Sequence, residues 1–159
     1  MSERVMTVEI RRATAGDCEA VAEMCALLWP DGPLQEHAAE LRKKLASGMS
    51  GTLPVAILVA ADVETGALAG FVEVGLRSHA ESCDTARPVG YAEGWFVREE
   101  LRKSGVGAAL MRAAENWARK QGCREMASDA RIDNDVSQRV HEALGYEEVD
   151  RCVHYRKKL

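Results

Sequence analysis

Apolar positions along the chain recur with two periods, and each switch of period marks an element. Val5-Met6-Thr7-Val8-Glu9-Ile10-Arg11 is β-branched and alternating, which predicts a first strand. Cys18, Val21, Ala22, Cys25, Leu28 and Trp29 then fall at helical spacing, behind a Thr14-Ala15-Gly16-Asp17 capping box, and that helix stops before Pro30. The turn Trp29-Pro30-Asp31-Gly32-Pro33 leads to a second helix with Leu34, Ala38, Leu41 and Leu45 as its buried stripe, followed by a loop over 47–52. Two apolar strands, 54–62 and 67–76, join through Glu64-Thr65-Gly66 as a hairpin. After a polar stretch over 77–88, alternation across Tyr91–Val97 places Tyr91, Glu93, Trp95 and Val97 on one face of a central strand. Val106, Leu110, Ala113, Ala114 and Trp117 mark a long helix that opens near Ser104 and ends at Gly122. A short strand over 124–128, a final helix opened by Asp133-Asn134-Asp135, and two last strands or one bent strand over 146–158 complete the pattern.

Composition narrows what such a chain does. Its 159 residues suit a single domain, 1–159, able to bury a core without staples. Five cysteines with no Cys-x-x-Cys pair point to reduced thiols rather than a disulfide framework or structural zinc. His37, His79, His141 and His154 are scattered, so no metal is expected. A formal charge of −4 disfavours nucleic acid and anionic membrane as partners and suits a small cationic substrate. No leader pattern and no run near the roughly 18 apolar residues of a membrane span is present, so a cytoplasmic protein is expected.

Two features carry chemistry. Arg102-Lys103-Ser104-Gly105-Val106-Gly107 lies between the central strand and a helix; glycines there let a ligand approach the backbone, and the first helical amides lack intrahelical partners and favour negative charge. Ala108 follows where a Walker loop needs Lys-Ser/Thr, and the third glycine of a dinucleotide fingerprint is missing. The second feature is Glu93, a carboxylate in an apolar row, which needs either an arginine partner elsewhere in the fold or a ligand. Asp129 stands where the next strand runs out, and a protonated amine needs such carboxylates both to hold it and to take its proton. Sequence alone does not rank the two as base.

The loop Arg102–Gly107 after Val97 resembles the acetyl-CoA pyrophosphate loop of the GCN5-related N-acetyltransferase (GNAT) superfamily. Glu93-Gly94-Trp95-Phe96-Val97, residues 122–129, Tyr155-Arg156-Lys157 and Leu28-Trp29-Pro30 resemble one branch, the aminoglycoside 6'-N-acetyltransferases. The resemblance implies an α/β GNAT fold, a central mixed, mostly antiparallel sheet flanked by about four helices. It implies acetyl-CoA as cosubstrate, bound by Trp95, Phe96 and Val97 and by Arg102, Lys103, Ser104, Gly105, Val106, Gly107 and Ala108. It implies an aminoglycoside held by Trp29, Glu93, Asp129 and Asn134, and a homodimer formed through C-terminal strands. Asp84 and Asp135 are expected to complete an acidic pocket. Two departures stand out: His141 occupies the position of a tyrosine acid found in many members, leaving Tyr146 and Tyr155 as alternatives, and His79-Ala80 replaces an Asp-Tyr of the branch. Acetylation of another amine, or a non-catalytic acyl-CoA-binding module, are the competing readings.

Overall fold

The computed structural model describes residues 5–159. Among them the strands are β1 (Val8–Arg12), β2 (Met49–Ser50), β3 (Leu53–Asp62), β4 (Leu68–Arg77), β5 (Val89–Val97) and β6 (Met126–Ser128). The helices are α1 (Cys18–Leu28), α2 (Leu34–Ser47), α3 (Val106–Lys120) and α4 (Asp135–Ala143). The sheet runs β1-β3-β4-β5-β6, with the short β2 paired to β3; every pairing is antiparallel except β5 with β6. A parallel pair needs a crossover, and α3 supplies it.

β3 and β4 are apolar along most of their length, Asp62, Glu73 and Arg77 excepted, because helices cover both faces of the sheet. Val106, Leu110, Met111, Ala114 and Trp117 of α3 pack on Leu58, Ala60, Val72 and Val74. On the other face α1 and α2 bring Val21, Met24, Cys25 and Leu41 against Ile57, Val59 and Phe71. Full burial of side chains such as Phe71, Leu110 and Met24 stabilises the fold by about 1.5–3 kcal/mol each. α3 ends in a Schellman motif: Gly122 N–H donates to Arg119 O, Cys123 N–H donates to Ala118 O, and Gly122 is left-handed.

The capping box forms at a short 3-10 turn ahead of α1, where Asp17 accepts from the Thr14 amide at 2.7 Å. The same carboxylate is gripped by Arg11 at 2.7 and 3.0 Å, and that hydrogen-bonded partner draws it down to about 2. A carboxyl depressed in the folded state contributes stability above its unfolded value and loses it as pH falls toward the folded one. Asp17→Asn is therefore expected to cost about 2 kcal/mol at neutral pH. In urea melts of both proteins the gap should stay constant from neutral down to about pH 5, then narrow below about pH 4.

Two expectations are corrected. The loop after α2 contains β2, which pairs Met49 and Ser50 with Pro54 and Leu53. The expected strands over 146–158 are absent, and the chain beyond Gly145 has no regular structure. A strand needs an edge to pair with. β6 spends one edge on Gly90–Ala92 of β5 over only three residues, and among the described residues no segment pairs with its other edge. Val149, Val153 and Tyr155 consequently lie exposed, Tyr155 at 93%.

Candidate active site

The site begins with a fault in the alternation of β5. Across the β4–β5 ladder Glu73 pairs with Gly94 and Val74 with Ala92, so Glu93 is an extra residue, a β-bulge. Tyr91 shares a sheet face with Gly75 and Phe96 with Phe71, whereas Ala92, Trp95 and Val97 face α3. The expected row of Tyr91, Glu93, Trp95 and Val97 is thus broken at the bulge, which turns Glu93 to the face of Tyr91. Gly94 is required beside it: a Cβ there would lie 2.4 Å from the Trp29 ring. Trp29 closes over the bulge while remaining 39% exposed, so it borders open space rather than the core.

Around the bulge four side chains form a charged network. Arg77, at the end of β4, donates through Nε and Nη2 to the two Glu93 oxygens at 2.8 and 2.7 Å. Its guanidinium lies 3.5 Å from the centroid of the Tyr91 ring. The Tyr91 hydroxyl donates to Asp129 Oδ2 at 2.6 Å. Burial first, then the bond to Asp129, pushes the Tyr91 phenol far above its ordinary value, so it remains a proton-bearing donor. Both oxygens of Glu93 therefore carry donors already, while Asp129 Oδ1 has no hydrogen-bond partner among the described residues.

Beyond the bulge β5 loses its neighbour. β6 pairs only with Gly90, Tyr91 and Ala92, so from Glu93 to Val97 one edge of the strand is not covered by β6, and Asp129 follows where β6 ends. The chain then enters the glycine loop. Arg102 Nε donates to Val97 O at 2.9 Å, the Ser104 hydroxyl bonds Leu101 O, and Lys103 and Gly105 are both left-handed. Helix α3 starts at Val106, two residues later than expected. The amides of Val106, Gly107 and Ala108 find no backbone acceptor among the described residues. Trp95 Nε1 donates to Gly107 O at 3.1 Å and so fixes this helix start against β5. An extended arm along the open edge of β5 with phosphates at the α3 amides fits these groups.

The other expected residues scatter. Asp84 is bound through its amide to Glu125, which precedes β6, whereas Asp129 follows it; the structure thus puts Asp84 at the opposite end of that strand. Asn134 caps α4, accepting from Ser137 N at 3.0 Å, and Asp135 opens the helix, exposed. His141 touches Trp95 edge-on at 5.2 Å. A carbonyl only accepts, so His141 Nδ1 donates to Ser137 O at 2.7 Å, and Nε2 lies 2.9 Å from the Ser128 hydroxyl. Tyr146 is committed to Glu115. Among the described residues no group of three or more His, Cys, Asp or Glu could hold a metal, and no helix is long and apolar enough to cross a membrane. Sequence reasoning missed Arg77, Tyr91 and a Lys44–Glu73 pair; a glycine inside a strand beside Glu93 was the available sign of the bulge.

Comparison with known proteins bears on the fold and the family. Residues 21–146 match the model of the acetyltransferase (GNAT) family. The chain is 39% identical over 150 residues to the aminoglycoside N(6')-acetyltransferase type 1 of Klebsiella aerogenes, covering 94% of this chain and 96% of that one. Its namesake from Stenotrophomonas maltophilia is 41% identical over 150 residues, with 94% and 93% covered. Among solved structures, the aminoglycoside N-acetyltransferase AAC(6')-Iy in complex with CoA superimposes with a TM-score of 0.85 at 34% identity over 100% of both chains. The same enzyme with a CoA-S-monomethyl-acetylneamine bisubstrate analogue gives 0.83 at 34% identity, covering 96% of this chain and 99% of that one. With the family model spanning residues 21–146 and relatives 39% and 41% identical over nearly the whole chain, the chain belongs to the acetyltransferase (GNAT) family.

Proposed function

We propose that the chain is an acetyl-CoA-dependent N-acetyltransferase that acetylates the 6'-amino group of aminoglycosides by direct transfer. The observation that carries this reading is the meeting of Glu93 and Asp129, through Arg77 and Tyr91, beside the open edge of β5. The names of the relatives, and the bisubstrate analogue bound to a structural neighbour, support the substrate class.

Acetyl-CoA supplies an activated acetyl group. The α3 amides and Lys103 hold its phosphates, and backbone along Trp95–Val97 holds the arm and polarises the acetyl carbonyl. An aminosugar enters as an ammonium, against Trp29 and the two carboxylates. Asp129 Oδ1 takes the amine proton, directly or through one water, while Glu93, its oxygens fixed by Arg77, anchors the cation. The nitrogen–carbon bond then forms, the carbon–sulfur bond breaks, and the thiolate leaves without a tyrosine acid, since Tyr146 and Tyr155 are turned elsewhere. The exposed Asp135 at the start of α4 adds negative charge to the approach for the drug, and Asn134 orders that helix start. The enzyme works in the cytoplasm, where such a modification confers resistance. Two copies associate through the C-terminal segment, whose exposed Val149, Val153 and Tyr155 and the free edge of β6 offer a strand and a partner edge.

Mass spectrometry of a kanamycin incubated with the protein and acetyl-CoA tests this. One acetyl gained, with NMR placing it on N6', is the expected product. Acetylation of spermidine or a lysine peptide but no kanamycin would move the substrate, and CoA binding without transfer to any amine would leave only a binding module.

A further inference from the structure

Next to Glu93 lies an ion pair that acetyl transfer does not use. Glu73 of β4 is 8% exposed, and both its oxygens accept from Lys44 Nζ, in the last turn of α2, at 2.9 and 3.0 Å. Lys44, Glu73 and Glu93 line one cavity of about 260 Å³ with Ser50, Gly75 and Leu76. Gly75 stands on the same face of β4 as Glu73 and presents no side chain, which keeps the space above the pair open. The cavity is smaller than the roughly 300–1,000 Å³ that enclose a whole drug-sized ligand, so it suits a single sugar ring of a larger molecule.

The charges of this cavity cancel. Arg77 faces Glu93, and Lys44 faces Glu73. A sugar ammonium reaching Glu73 meets a carboxylate already taken by a group of its own kind, a primary ammonium. An amine there must displace Lys44 or be repelled by it, whereas a hydroxyl can donate to Glu73 and leave the pair intact.

Resting on the aminoglycoside reading above, we propose that Lys44 is a specificity-determining residue: its ammonium occupies the carboxylate that would otherwise take a second amino group, so the cavity selects a reacting ring with a hydroxyl there. The 2' position of that ring serves as the probe, because it carries either group in otherwise identical drugs. Kanamycin A and kanamycin B differ only there, hydroxyl against amine.

The experiment measures kcat/KM for both drugs in each variant and reports the ratio of B to A, which cancels any difference in folded fraction. Lys44→Met frees Glu73 and should raise the ratio by about tenfold or more, the worth of one charge-assisted hydrogen bond. Glu73→Gln leaves Lys44 alone in the wall and should lower it. Lys44→Met with Glu73→Gln, which retains neither charge, should return the ratio to near the native value and guards against a Lys44→Met protein that fails to fold. A ratio within twofold of native in all three overturns the proposal while leaving the aminoglycoside reading standing. If the native enzyme turns over neither drug, that reading fails, and the ratio of calorimetric dissociation constants takes over: a shift of the same sign supports the role of Lys44, and an unmoved ratio or no binding overturns it.

Discussion

Asp129→Asn is expected to lower kcat by about 10²–10⁴-fold, the usual worth of a positioned proton acceptor, with little change in the KM for acetyl-CoA. Asparagine keeps the shape of the side chain and can still accept from Tyr91, so the network around the bulge survives. What it loses is the charge and the free oxygen that takes the amine proton. Glu93→Gln should behave differently, because both Glu93 oxygens are already held by Arg77. Its main effect should be a higher KM for the drug, as an anchor is lost rather than a base. Steady-state kinetics of the two variants read this split; an Asp129→Asn enzyme within tenfold of native kcat would remove Asp129 from proton transfer.

Gly105→Val should raise the KM for acetyl-CoA by about 10–100-fold while kcat at saturation changes little. Nothing lies within 4 Å of where the new Cβ would sit, so the effect is not a clash. Gly105 has φ of 85°, and a β-branched residue there pays about 1–2 kcal/mol or forces the turn to open. An opened turn swings the Val106, Gly107 and Ala108 amides away from the phosphates, each a charge-assisted hydrogen bond lost. A KM within threefold of native would show that these amides do not hold the cosubstrate.

Much of this was legible in the chain. The strand pattern of β3 and β4, the stripe of α3, the capping box at Thr14–Asp17 and the glycine loop all rest on local rules, periodicity, capping and backbone freedom, and these local features formed close to where the residues placed them. Glu93 and Asp129 were legible as strand-end carboxylates, and the structure joins them through Arg77 and Tyr91. What escaped depends on register or on distant partners. Alternation could not reveal that Glu93 bulges, because a bulge is set by pairing across strands. No local rule marks Arg77 or Lys44, and only the ends of β4 and α2 bring each against a glutamate far along the chain. The segment after Gly145 has a strand-like composition, yet among the described residues the free edge of the three-residue β6 stays unpaired.

One measurement bears most directly on the claim that this fold acetylates a 6'-amine. Thiol release from acetyl-CoA should be followed with kanamycin B and kanamycin C, which differ only in amine against hydroxyl at C6'. The account predicts steady turnover with kanamycin B and none above background with kanamycin C. Equal release with both would place the reacting amine elsewhere on the drug, and no release with either, or with kanamycin A, would contradict the assignment of aminoglycosides as substrate.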